Sequence, residues 1–203
     1  MRRFAAIAAL LAALSGCAPL AQRPSAPPVS DAQQQAWTQR QQQLAHVDHF
    51  TVVGRVASSA LGFKADLRWK QNPDGTFAMR VAGPFGARAA ELSGDASSVQ
   101  VRTGEDTTVT TDPEAWLAQA IGCRIPVLGL RWWALGLPSP GPTDDLVLDR
   151  DGRAAFIRQN GWELAYTEYA AAEGFDLPRR IEARSGDTRV LLIADRWSDL
   201  AAP

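Results

Sequence analysis

From residue 50 onward the chain is governed by a period of two. Phe50, Val52, Gly54 and Val56 fall on one face of a segment whose other face carries Thr51, Val53, Arg55 and Ala57. Alternation of this kind describes a half-buried strand. It returns over 62–71, with Phe63, Ala65, Leu67 and Trp69 set against Lys64, Asp66, Arg68 and Lys70. Asn72-Pro73-Asp74-Gly75 supplies a turn, and 76–82 reads as the hairpin partner. Gly83-Pro84-Phe85-Gly86 breaks that strand, and shorter ones follow at 87–93, 99–103 and 107–110. After an interruption, alternation resumes at 146–148, 154–159, 162–169, 178–183 and 188–197. Ten or eleven short strands joined by tight turns favour antiparallel neighbours, because parallel ones need repeated crossovers that this chain lacks.

The interruptions are helical. Ser30 or Asp31 stands where an N-cap belongs, before a Gln-rich stretch in which Trp37 and Leu44 share one helical face. That spacing predicts an amphipathic helix of about four turns. Thr111 or Asp112 caps a second helix begun by Pro113, with Trp116, Leu117 and Ala120 inward and Gly122 as its stop. A shorter piece is predicted over 128–135, between Pro126 and Pro138. The fold class that results is mainly β, of the α+β kind: a curved antiparallel sheet packed on a few helices.

Ahead of this body, Met1-Arg2-Arg3, an apolar run from Phe4 to Leu14, and Ser15-Gly16-Cys17 have the three-part layout of a secretory leader. Leu14-Ser15-Gly16-Cys17 looks like a bacterial lipobox, which makes 1–16 a signal peptide and Cys17 the lipidated first residue of the processed chain. Residues 17–30 carry Pro19, Pro24, Pro27 and Pro28 among small and polar neighbours and read as a tether. Residues 31–203 are expected to form a single domain. Residue 18 is Ala rather than the Asp that resembles an inner-membrane retention signal, so a lipid-anchored place in the outer membrane is expected, the body facing the periplasm.

Composition excludes more than it selects. The formal net charge is −1, and loss of Arg2 and Arg3 leaves 19 basic against 22 acidic residues, so no basic excess recommends nucleic acid. With Cys17 in the lipobox, Cys123 has no partner, and it makes no zinc set with His46 and His49. There is no Gly-x-Ser-x-Gly elbow and no phosphate loop. No catalytic residue, metal or cofactor is expected. Seven Trp against two Tyr is an unusual choice, and a large apolar side chain with one donor suits the lining of a cavity as well as a core.

Placed in order, several blocks resemble the outer-membrane lipoprotein receptor family LolB. They are Trp37, Phe50-x-x-x-Gly54-Arg55-Val56-Ala57, Trp69, Gly83-Pro84-Phe85-Gly86, Ile125-Pro126 with Leu130 and Trp133, Gly136-Leu137-Pro138, Gln159-x-Gly161-Trp162 with Tyr166, Leu177-Pro178 and Trp197. The chain departs from the family at Phe85, where Leu is commoner, and in a short connection after Pro142.

The resemblance implies a half-barrel closed by helices around an apolar cavity, which takes acylated lipoprotein cargo from the periplasmic carrier LolA and inserts it into outer-membrane lipid. Phe63, Trp69, Leu130, Trp133 and Trp162 would line that cavity, and Pro84-Phe85-Gly86 would form a membrane-insertion loop. A monomer is expected. Two alternatives stay open: the tryptophans as plain core residues of a structural accessory lipoprotein, and Phe85 as a tip that packs back on its own hairpin.

Overall fold

Alternation and turn chemistry together produce eleven antiparallel strands. The computed structural model describes residues 29–59, 62–86, 89–121 and 124–200. The leader, Cys17, the prolines of the tether and Cys123 lie outside them. The strands are β1 (Phe50–Ser58), β2 (Phe63–Gln71), β3 (Phe77–Ala82), β4 (Ala90–Gly94), β5 (Val99–Thr103), β6 (Asp106–Thr110), β7 (Asp145–Leu148), β8 (Ala154–Gln159), β9 (Trp162–Ala172), β10 (Phe175–Ser185) and β11 (Thr188–Ser198). They form one curved sheet in the order β6-β5-β4-β3-β2-β1-β11-β10-β9-β8-β7. Two meanders are thus joined where the first strand pairs with the last, and β6 and β7 remain as edges.

β9 and β10 run further than alternation predicts. Ala170, Ala171 and Ala172 give no pattern to read, and Pro178, which looks like a strand start, lies inside β10. The β9–β10 register shifts between Pro178 and Arg180, and such an irregularity tolerates a residue without an N–H. The strand expected from residue 87 begins only at Ala90.

Three helices cover the inner face. α1 (Asp31–Ala45) starts with a capping box, in which Gln33 N–H donates to Ser30 Oγ at 3.2 Å and Ser30 N–H to Gln33 Oε1 at 2.9 Å. Its Trp37 and Leu44 are buried in the main core with Val52, Trp69, Ile157 and Trp197. α2 (Pro113–Ile121) is capped by Asp112, whose Oδ1 accepts from Ala115 N–H at 2.9 Å. Its Leu117 packs with Phe77, Val99 and Val101 in a second cluster. The helical piece expected over 128–135 divides into a 3-10 turn at Val127–Gly129 and α3 (Leu130–Ala134).

α1 is clamped to the far half of the sheet. A Cβ at Gly152, whose φ is +73°, would sit 2.6 Å from Ala36 Cβ and 2.9 Å from Gln33 O. The Arg40 and Arg153 guanidinium groups lie 5.2 and 4.5 Å from the centre of the Tyr169 ring. Burial lowers the pKa of Arg40. Burial also opposes the charge of Arg153, but hydrogen bonds to Asp176 at 2.6 Å and Asp149 at 2.8 Å outweigh it and raise its pKa.

Candidate functional site

Directly opposed residues of an antiparallel sheet point to the same face, so the register lays the inner surface out in rows. One deep row runs Trp197–Val52–Trp69–Met79–Leu92–Val101. The next is Ala194–Gly54–Leu67–Val81, then Ile181–Leu192–Val56–Ala65, then Ala183–Val190–Ser58–Phe63. Trp197, Val52, Trp69 and Val101 in the deep row and Ala194, Gly54 and Leu67 in the next are buried; in the third row Ile181 and Ala65 are buried but Leu192 and Val56 half-buried, and in the last Ala183, Val190 and Ser58 are all half-buried. Burial therefore weakens along the strands, and the inner face opens as an apolar band at one end.

A polar hub holds α3 against that end. Gln159 is 0% exposed, and its Oε1 accepts from Trp133 Nε1–H, Ser139 N–H and Ser139 Oγ–H, each at 2.9 Å. Its Nε2–H group donates to Ser139 O at 2.8 Å and Pro142 O at 3.1 Å. Trp162 Nε1–H donates to Arg124 O at 3.0 Å, and Tyr166 OH to Trp133 O at 3.0 Å. Burial pushes the Tyr166 phenol well above its ordinary pKa, so it stays a neutral donor. Trp69 differs, since its buried Nε1 has no hydrogen-bond partner among the described residues.

The same end carries the loop after β3. Phe85 sits at φ 56°, ψ 26° between Pro84 and Gly86, a left-handed conformation uncommon for a bulky residue. Its side chain is fully exposed. It does not pack back on its hairpin. β1, β3, β5, β8 and β10 all run toward this end, which gathers the turns after Ser58, Ala82, Thr103, Gln159 and Ser185.

Four of the five residues nominated as a lining, Trp69, Leu130, Trp133 and Trp162, pack in or against the main core, at different depths. Trp133 and Trp162 are 3% exposed and lie 6.4 Å apart by ring centres, with Leu130 half-buried beside the core they belong to. Trp69 is 4% exposed and lies deeper, edge-on to Phe50 at 5.1 Å. Phe63 takes its place in β2 opposite Ser58, at the open end. All three tryptophans are packed as core in this structure. Gln159 was not nominated as a hub, since a single Gln at a strand end carries no signal of the three donors it collects.

Comparison with known proteins first defines the class. A LolA superfamily protein from Nitrosomonas europaea shares the fold, with a TM-score of 0.51 over 86% of this chain and 96% of the other, at 10% identity. The model of the family described as "Outer membrane lipoprotein LolB" matches residues 48–197. "Outer-membrane lipoprotein LolB" of Pseudomonas paraeruginosa is 36% identical over 200 residues, covering 97% of this chain and 96% of its own. The protein of the same name from Nitrosococcus oceani is also 36% identical over 200 residues, covering 96% of each chain. The chain belongs to the LolB family and is an outer-membrane lipoprotein receptor acting in lipoprotein localization.

Proposed function

We propose that the chain accepts lipoproteins from LolA by taking their acyl chains onto its inner face, and releases them into the outer membrane through the end that carries Phe85. The observation that carries this reading is the coincidence of two features: the half-buried apolar rows open at the end from which Phe85 projects. Two or three acyl chains left in water would cost on the order of tens of kcal/mol, at about 0.8 kcal/mol per methylene. A shielded surface is therefore needed at each step. Phe63, Leu130, Trp133 and Trp162 stand nearest the opening and Trp69 deeper. A chain that reaches Trp69 displaces α2 and α3 from the sheet.

Transfer needs no catalysis and no cofactor. It runs downhill if the receptor holds acyl chains more tightly than LolA and the bilayer holds them more tightly still. No helix among the described residues is long and apolar enough to cross a membrane, so the anchor assigned to the protein is the lipid on Cys17. The receptor works as a monomer, its body in the periplasm and Phe85 dipping into lipid.

Reception and delivery should therefore separate at Phe85. Phe85→Glu is expected to leave folding and uptake from LolA intact, because an exposed tip adds nothing to the core. It opposes insertion by a few kcal/mol through a charge in an apolar layer. A labelled lipoprotein is loaded on the variant, outer-membrane vesicles are added, and label reaching lipid is measured. Loss of delivery with normal uptake supports the reading. Normal delivery refutes the insertion role.

A further inference from the structure

The hairpins after Ser58 and Ser185 bound a rim opening of about 450 Å³ at the Phe85 end of the sheet. Its charged lining is mostly basic: Lys64, Arg180, Arg184 and Arg189, against the one carboxylate of Glu182; Lys64, Glu182, Arg184 and Arg189 alternate with the inner row Ala183–Val190–Ser58 and so stand on the outer face at this end. Arg180 is already paired with Glu182 at 2.8 Å. Lys64, Arg184 and Arg189 make no ion pair with any described residue. Arg184 and Arg189 are also direct cross-strand partners, and like charges in that position destabilise a sheet. Nothing in the fold requires the pair, since both side chains are exposed. Two acids without an ion pair among the described residues lie nearby in the chain: Asp187 in the turn between the two arginines, and Asp66 two residues along β2 from Lys64.

Height along the strands links this rim to Phe85. Ala82, the last residue before the Phe85 loop, is level with Asp66, and through Arg55 and Ile193 with Arg180. Arg184 and Arg189 lie four residues beyond that row, about 13 Å at ~3.3 Å per residue. The three residues from Ala82 to Phe85 reach no more than about 10 Å. The cations thus reach at least as far toward this end as the exposed aromatic. Lys64 lies two residues past the row of Asp66 and Ala82, and Arg184 and Arg189 four past that of Arg180, so an exposed aromatic and unpaired cations all project at one end of the sheet, the combination that suits an interfacial contact with anionic lipid.

We propose that Lys64, Arg184 and Arg189 form a docking site for the phosphate headgroups of anionic phospholipid, which holds the open end against the bilayer during release. This rests on the reading of the Phe85 end as membrane-facing. An acidic protein surface is the competing occupant. It is disfavoured because the exposed Phe85 ring projects at the same end of the sheet.

The test uses the processed chain, residues 17–203, with Cys17→Ala so that no acyl anchor masks the effect; this chain keeps every described contact. Flotation with phosphatidylcholine vesicles is compared with flotation on vesicles containing one part in four of phosphatidylglycerol. Binding is expected to rise by at least about twentyfold with the anionic lipid and to fall again with added salt. Arg184→Gln with Arg189→Gln is expected to remove that gain, at about fivefold per arginine and on the order of twentyfold for the pair. Its melting temperature should equal or exceed that of the parent, because a repulsion is relieved. Equal flotation on both vesicles, or a double variant that still gains from anionic lipid, overturns the proposal. So does a double variant that floats normally but no longer accepts cargo from LolA, which would give the rim to the carrier. Phe85→Glu in the neutral vesicles reads the insertion role separately, so failure of one arm leaves the other standing.

Discussion

Trp69 and Trp133 are buried to nearly the same degree, yet their indole N–H groups meet different fates. Trp133 donates to Gln159 at 2.9 Å, whereas the Trp69 donor has no partner among the described residues. Each Phe replacement removes similar ring volume, so their difference isolates the donor. Trp133→Phe is expected to cost about 0.5–1.5 kcal/mol more than Trp69→Phe, because only the former breaks a buried bond, while Gln159 Oε1 keeps the two donors of Ser139. Urea denaturation of the two variants measures it; equal losses would show that the hub is not coupled to the fold. Alternation in the sequence was enough to put Trp69 on one face with Phe63, Ala65 and Leu67, and the family resemblance nominated Trp162. It could not say which indole is satisfied, since the partners of Trp133 and Trp162 are Gln159 and the carbonyl of Arg124, 26 and 38 residues away. Nor could it find the Arg184–Arg189 pair, which needs a register.

Among the elements, α1 depends on a close approach rather than on its own sequence. Only two of its residues, Trp37 and Leu44, are buried, and isolated helices of this length are marginal in water. What holds it is Gly152, the Tyr169 stack and the bond from Gln33 Nε2–H to Asp149 O at 2.9 Å. Gly152→Ala adds a left-handed alanine and a clash with Ala36, and is expected to cost several kcal/mol. Hydrogen exchange should report faster opening of 31–45 with β1–β5 unchanged. Unaltered protection of α1 would mean that the turn yields without releasing the helix. The cap of this helix was legible at Ser30 and Asp31 because capping chemistry is local. The clamp was not, because Gly152 reads only as a turn glycine until the turn is seen against α1. The lengths of β9 and β10 were missed for the converse reason: partners on both sides impose strand geometry on Ala170–Ala172 and Pro178 that local preference does not favour.

At the scale of the whole molecule, an open sheet with a half-buried inner face suits temporary occupancy better than permanent closure. Its more deeply buried rows keep the fold, and its half-buried end leaves apolar surface available. The overall architecture was legible, since eleven alternating segments with two helical interruptions admit few topologies. The direction in which the face opens was not, because it depends on which rows α1, α2 and α3 cover. The central claim is that this face takes acyl chains. It is tested most directly by titrating the processed chain with a long-chain fatty acid that carries bromine as a quencher, following Trp emission and the melting temperature together. Saturable quenching is expected, with a melting temperature that rises as ligand increases, equivalent to about 2.7 kcal/mol at a hundred times Kd. If neither emission nor melting temperature changes, the inner face is a solid core and the protein does not carry its cargo by the acyl chains.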